Sequence, residues 1–253
     1  MAVRFDADGE DYTRTTGLFA MSIVTVSCWV KIDVDRNGFS SAWSLDAGGG
    51  GSQMLLLQTD SDGVTWTFYD SNQGTTLLFA ATVGVWYYIA VAYTFGTANI
   101  YYGAATDATL TLNSSAHMDT ATITTLRLGE SAFTGEWLNG SIAAVKIWDG
   151  VQLSRAEVEA ERWQYLPQRT ANLNCFYPFL IGGAVAGAQQ DFSGAGNNLT
   201  GGTGSATADG PPIAWRRGQS RLILPAAAAP PADPFPAGYG RDWRVKTASI
   251  APL

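Results

Sequence analysis

The chain has 253 residues, 46% of them hydrophobic, and a formal net charge of −7 from 15 basic and 22 acidic side chains. That length holds one large domain or two small ones with a substantial core, and the composition excludes a disordered or collagen-like chain. No apolar run approaches the roughly 20 residues that span a bilayer, and the N-terminal MAVRFDADGEDY lacks the basic start and apolar stretch of a secretion signal, so the expectation is a protein assembled inside a cell with no membrane partner.

In chain order, the first signal is an acidic turn made of Asp6, Asp8, Glu10 and Asp11. Its spacing is not that of an EF-hand and reads as a solvated hairpin turn, with Asp6, Asp8 and Asp11 as weak candidates for a calcium ion held by oxygen ligands. Val24, Val26, Cys28, Val30 and Ile32 then alternate with Thr25, Ser27, Trp29, Lys31 and Asp33, the period of a half-buried strand. Further β-rich runs follow at 54–57, 64–69, 76–81, 86–95, 99–102 and 122–128, separated by glycine and Asp/Asn turns that include the tetraglycine 48–51. The only histidine, His117, lies in the polar loop NSSAHMDT and reads as solvated.

The stretch from Ser141 to Trp148 is apolar on both faces, with Ala143, Val145 and Ile147 expected on one and Ile142, Ala144 and Trp148 on the other, which suits a strand covered on both sides. Asp149-Gly150 ends it. Ser154 offers a helix N-cap with Glu157 at the third helical position, and Leu153 with Val158 supplies the matching hydrophobic staple. A helix of about three turns is predicted, ended before Pro167. Its acids Glu157, Glu159 and Glu161 are expected to face solvent. Cys28 and Cys175 sit in separate β-like runs and read as buried free thiols, while Asp191 with Ser193 and Gly194 reads as a side-chain-capped turn.

Proline and charge divide the chain near residue 209. The first 166 residues contain no proline, whereas eight of the ten prolines fall after that point. Residues 209–253 carry six positive and three negative side chains, a net +3, which leaves nine positive and nineteen negative, a net −10, on the rest. Many short strands with one late helix predict an all-β, antiparallel two-sheet sandwich over residues 1–208. Residues 209–253 form a Pro/Ala-rich extended arm that cannot build its own core. Trp215, Arg216, Arg217, Arg221, Phe235, Tyr239, Trp243 and Arg244 are the residues through which the arm is expected to hold a surface.

Several segments together resemble the laminin-G-like, concanavalin A-like jelly-roll family. AVRFDADGEDYTR resembles its opening strand and acidic turn, VTVSCWVKID its tryptophan-bearing strand, and VWYYIAVAYTFGTANIYYGA its paired strands. FTGEWLNGSIAAVKIWDGVQLSRAEVEA is similar to its closing strand and short helix, and NLNCFYPFLIGGAVAGAQQDFSGAGNNLTG to a strand followed by an Asp-x-Ser-Gly turn. The resemblance covers residues 2–203 and implies a jelly-roll sandwich. It does not by itself imply a function, because the family holds sugar-binding and adhesion modules, glycan hydrolases and structural decorations.

The expected function follows from elimination among these. A hydrolase needs two carboxyl groups across one cleft, and the Glu-x-Asp-x-x-Glu strand spacing that the resemblance would imply for a catalytic member is absent, so no catalytic or cofactor residue is assigned. Trp29, Trp43, Trp66, Tyr69 and Trp137 are candidate stacking platforms for a cell-surface glycan, although in a sandwich most aromatics are core. The acidic body would repel nucleic acid. Bacteriophage virions use such jelly rolls as head decorations or on tails and fibres. The expectation is therefore a non-enzymatic virion component, assembled in the host cytoplasm, whose arm clamps another copy or a capsid or tail protein; the alternatives are a carbohydrate-binding or adhesion module and a glycan hydrolase.

Overall fold

The alternation in the run from residue 23 to 32 builds the strand on which both layers of the molecule meet. In the computed structural model, which describes residues 2–7, 10–14, 19–20, 22–47, 54–116, 122–133, 135–179, 187–202 and 205–213, the elements in chain order are β1 (Ala2–Phe5), β2 (Tyr12–Arg14), β3 (Phe19–Ala20), β4 (Ile23–Ile32), β5 (Ser41–Asp46), β6 (Met54–Thr59), β7 (Thr65–Asp70), β8 (Gly74–Ala80) and β9 (Tyr87–Thr94). They continue with β10 (Thr97–Ala104), β11 (Thr111–Ser115), β12 (Thr122–Ile123), β13 (Thr125–Leu128), β14 (Gly140–Asp149), α1 (Arg155–Arg162), β15 (Leu173–Tyr177), β16 (Gly187–Gln189), β17 (Leu199–Gly201) and β18 (Ala206–Ala208).

Two antiparallel eight-stranded sheets face each other. The first runs β11-β10-β9-β4-β14-β1-β18 with β15 beside β14, and the second runs β16-β17-β2-β13-β5-β6-β7-β8. Between them lies one continuous core to which β4 gives Val24, Val26, Cys28, Val30 and Ile32, as its alternation predicts. Trp43, Leu45, Leu55, Leu57, Trp66 and Phe68 answer from the second sheet. Both thiols are free and buried here, and desolvation pushes the Cys175 thiol up to about 12 and the Cys28 thiol higher still.

The other face of β4 is not half-exposed. Thr25, Ser27 and Trp29 are buried beneath a third layer, where Trp29, Tyr88, Ala90, Trp148, Leu153, Val158, Tyr165 and Ile213 form a second apolar cluster. The cover is α1 with its flanking segments. Ser154 and Glu157 form the full capping box at its start, and Leu153 and Val158 are both buried. Residues 209–213, expected to open the arm, thus reach this layer through Ile213; the remaining arm residues, Trp215, Arg216, Arg217, Arg221, Phe235, Tyr239, Trp243 and Arg244, lie outside the described residues.

Two expectations about this layer are corrected. The helix has eight residues and caps at Trp163 rather than running toward Pro167. Side chains from the sheet take the carbonyls that further helical amides would have used: Lys146 Nζ donates to the oxygens of Glu161 (3.2 Å) and Gln164 (2.8 Å), and Trp29 Nε1 donates to Arg162 O at 3.0 Å. Glu161, expected at the solvent face, is 1% exposed and pairs with Lys146 Nζ at 2.7 Å, while its Oε1 accepts the backbone N–H groups of Gln168 and Arg169. Burial holds the Lys146 amine below its usual value, and the facing carboxylate opposes that shift.

The faces of β14 are also reassigned. Ala144 has φ 49 and the ladder to β4 shifts between Ala143 and Lys146, a bulge that inserts one residue. Ile142 therefore joins Val145 and Ile147 in the inter-sheet core, and Ala143 joins Ala144 and Trp148 beneath the helix. The run at 122–128 is divided at Thr124, with β12 pairing β3 and β13 entering the second sheet. Strands that the sequence reading did not identify, β5 and β11 with the short β16, β17 and β18, complete the sheets.

Replacing Lys146 by Met strands a buried carboxylate and is expected to lower the unfolding free energy by about 3–5 kcal/mol, whereas Ser154→Ala at the exposed cap should cost about 1 kcal/mol. Urea unfolding followed by tryptophan fluorescence checks the ratio.

Candidate functional site

With Trp43, Leu45, Leu55, Leu57, Trp66, Phe68, Leu126 and Leu128 turned into the core, the pleat turns the residues between them outward. Strand register places Thr13, Arg127, Ser44, Leu56, Tyr69 and Thr75 in one line across β2, β13, β5, β6, β7 and β8. Asp46 and Met54 flank that line on one side, and Ser41, Gln58, Thr67 and Leu77 on the other. The outward face of the second sheet thus carries hydroxyl, amide and aromatic groups together with Met54, Leu56 and Leu77, and one ion pair between Arg127 Nε and Asp46 Oδ2 at 3.5 Å; Tyr69 and Arg127 are half-buried, whereas Ser41, Ser44, Met54, Leu56 and Thr67 are buried.

Three oxygens on this face stand out. Ser41 Oγ, Ser44 Oγ and Gln58 Oε1 are buried and have no hydrogen-bond partner. A buried polar oxygen left unmet costs about 1–3 kcal/mol, so each calls for a water or a ligand hydroxyl. Tyr69 is half-buried beside them, its ring meeting Phe133 edge-on at 6.2 Å and 76°.

Residues 130–133 and 135–138 continue from β13 beside the start of β5. Ser41 N donates to Glu136 O at 3.3 Å, and Trp137 bridges both Ser41 and Glu130. Glu136 accepts from Ser131 Oγ at 2.6 Å, and burial holds its carboxyl above the ordinary value of 4.5 against that hydrogen bond.

The five candidate platforms separate clearly. Trp29, Trp43 and Trp66 are at most 1% exposed and belong to the cores, so they are corrected to packing residues. Trp137 stacks under the Arg36 guanidinium, 3.6 Å from the ring centroid, and its carbonyl accepts from Arg36 Nη1. Tyr69 alone of the five lies in the polar line. Ser41, Ser44 and Asp46 were missed because β5 was not recognised, and Gln58 on β6 and Arg127 on β13 because only cross-strand register brings them beside it; the alternation of Trp43 and Leu45 with Ser44 and Asp46, bounded by Gly38 and the tetraglycine, is the signal that finds β5.

The remaining candidates lie elsewhere. Among the described residues of the acidic turn, the Glu10 carboxylate accepts from the backbone of Asp6 and Ala7 and is 6% exposed, which corrects its solvated assignment. Asp11 accepts from Thr13 Oγ1 at 2.6 Å, and Asp6 lies 3.4 Å from Arg4. Asp8 and His117 fall outside the described residues, and no group of three or more metal-ligating side chains occurs within them. Asp191 is the buried centre of its turn, accepting from the backbone N–H groups of Phe176, Ser193 and Asn197 and from Ser193 Oγ.

A raised carboxyl binds its proton more tightly in the folded state, so its stabilising contribution is complete below the unfolded value of 4.5 and is lost as pH rises through the higher folded value. Glu136→Gln removes that loss. Its effect on stability should become more favourable from pH 4 to pH 7; thermal melts across that range that show a pH-independent difference contradict the assignment.

The fold has solved counterparts. A candidate carbohydrate-binding protein from Bacteroides ovatus superposes with a TM-score of 0.61 at 15% identity, over 84% of this chain and 61% of that one. This chain therefore spans less than two thirds of that protein's length. The heptameric pentraxin of Limulus polyphemus gives 0.48 at 13% identity over 62% and 79%, and the CBM40 of the Ruminococcus gnavus IT-sialidase, solved with α2,3-sialyllactose, gives 0.45 at 14% over 63% and 95%. No curated protein sequence matches the chain. The family model of the concanavalin A-like lectin/glucanase superfamily matches residues 7–159, and with the two-sheet sandwich, the closing strand and the capped helix in place, the chain belongs to that superfamily.

Proposed function

We propose that the chain is a non-catalytic carbohydrate-binding module that uses the outward face of its second sheet. The observation that carries this reading is the set of buried, partnerless oxygens on Ser41, Ser44 and Gln58, of which Ser44 shares a register line with Arg127 and Tyr69 while Ser41 and Gln58 flank that line. A sugar presents alternating hydroxyls and an apolar ring face, so it can meet fixed oxygens and lie against a tyrosine at the same time. Carbohydrate binding is also the candidate role of the Bacteroides ovatus protein that shares the fold. Asp46 is matched by Arg127 on this face, an arrangement suited to holding a ligand rather than to protonating a leaving group.

Tyr69→Ala and Arg127→Ala, at half-buried positions on the sheet surface, should each weaken binding of a glycan found on an array by about tenfold, or 1.4 kcal/mol, without shifting the melting temperature by more than a few degrees. No binding by the intact protein across the array, or full affinity in both variants, sinks the reading.

The charge division supports a second proposal for the context. A body of net −10 joined to a proline-rich arm of net +3 suits a subunit that clamps a neighbouring copy, or a capsid or tail protein, through residues 209–253, in a virion assembled in the host cytoplasm. Ending the chain after Ile213 should then abolish assembly, measured by sedimentation, while the far-ultraviolet spectrum of the sandwich is retained. Unchanged assembly at the same concentration removes the clamp.

A further inference from the structure

The sequence holds two Asn-Gly pairs, Asn37-Gly38 and Asn139-Gly140. Asparagine is a thermolabile side chain, and a following glycine makes it most so, because a residue without a Cβ lets its amide nitrogen swing onto the asparagine Cγ. The fold treats the two pairs differently.

Asn139 is held. Its backbone carbonyl accepts from Asp33 N at 3.0 Å and from Val34 N at 3.4 Å, and its Oδ1 is buried. Gly140 is buried in β14, registered against Ile32 of β4 and Phe5 of β1, and a Cβ on it would overlap the Lys31 carbonyl. The rotation that brings the Gly140 nitrogen onto Asn139 Cγ therefore requires the first sheet to open.

Asn37 is exposed in the loop between β4 and β5, with φ 51, in the left-handed region that asparagine tolerates. Its N–H donates to Asp35 Oδ1 at 2.8 Å. Beyond that bond, among the described residues, neither the Asn37 side chain nor the Gly38 amide has a hydrogen-bond partner. A Cβ built on Gly38 would meet nothing nearer than Arg36 O at 4.0 Å, so the amide has room to turn.

We propose that Asn37 is a site of spontaneous covalent modification, converting in the folded protein to aspartyl and isoaspartyl forms while Asn139 is spared. The Gly38 nitrogen gives its proton to hydroxide and bonds to Asn37 Cγ. The Cγ–Nδ2 bond breaks, and Nδ2 leaves as ammonia with a proton from water, which restores the hydroxide. Water then opens the cyclic imide. Opening at the side-chain carbonyl leaves an ordinary aspartate, and opening at the main-chain carbonyl leaves the chain running through Cβ and Cγ. Either product sets a new carboxylate beside Asp35. The isoaspartyl form also lengthens the main chain where the turn at 60–63 leaves no room, since a Cβ on Gly63 would already lie 2.8 Å from Asn37 N. Arg36 is the adjacent residue, so the longer chain strains its stacking on Trp137 and its bond to the Trp137 carbonyl.

The full chain, kept folded in mildly alkaline buffer, is followed by peptide mass spectrometry, with isoaspartyl methyltransferase labelling to separate the two products. Conversion at Asn37 should outpace that at Asn139 by at least about tenfold, whereas in denaturant, where no sheet holds Gly140, the two rates should agree within about threefold. Gly38→Ala, whose methyl finds open space, should fold as the parent does and slow conversion at Asn37 by at least about tenfold. Equal rates at the two asparagines in the folded chain, no conversion at Asn37, or a Gly38→Ala chain that converts as fast as the parent overturns the proposal.

Discussion

The buried pair of Lys146 and Glu161 is the interaction on which the three-layer arrangement depends. Lys146 lies buried on a central strand, so its ammonium must be met by something the helix layer brings. Glu161 meets it with one carboxylate oxygen and uses the other to bind the backbone of residues 168 and 169, while the carbonyls of Glu161 in the last helical turn and of Gln164 just beyond it accept the remaining ammonium protons. A pair of this kind contributes little net stability compared with apolar residues of the same volume. Its effect is positional: sliding α1 by one turn along the sheet would leave two buried charges unpaired.

The bulge at Ala144 is what makes that pair geometrically available. Without the inserted residue, strict alternation from Ile142 would place Lys146 on the same side as Ile142, inside the inter-sheet core, and would turn Val145 and Ile147 out of it. The positive φ at Ala144 turns the strand so that Val145 and Ile147 keep the core and Lys146 faces the helix. A non-glycine residue in that region costs on the order of 1–2 kcal/mol. The alternative, an ammonium in the apolar core with no carboxylate in reach, costs more.

The same comparison shows how much was legible in the sequence. Period-two alternation located β4, β-rich runs located β7, β9 and the doubly apolar β14, and the Ser154/Glu157 box located the helix start, because each of these rests on interactions within a few residues of chain. The lower boundary of the helix, the face of Ile142 and the burial of Glu161 depend on contacts from β4 and β14, which no local pattern carries. β5 escaped notice for a related reason: its outward serine and aspartate dilute the apolar run, although Trp43 and Leu45 mark the inward face. The site was legible to the extent of Tyr69, and the three oxygens beside it became visible only when cross-strand register brought Ser41, Ser44 and Gln58 together.

The two outward faces of the sandwich are left with different chemistry by these constraints. The first sheet commits Trp29, Tyr88 and Trp148 to the contact with the helix layer, and their rings are sealed from any ligand. The second sheet has serine, threonine and glutamine beside Met54, Leu56 and Tyr69 at the equivalent outward positions, and these polar groups offer oxygens at strand spacing. With only three lysines in the chain, and one arginine on this line already paired with a carboxylate, the face has no net charge to attract a phosphate or a sulfate. A neutral, hydroxyl-rich ligand matches it better than an ionic one, since unpaired oxygens recruit donors through hydrogen bonds while Tyr69 supplies apolar contact. On the proposed reading, recognition falls to the sheet that the helix does not cover, and the helix contributes by holding the first sheet, and through the shared core the second, in one fixed register.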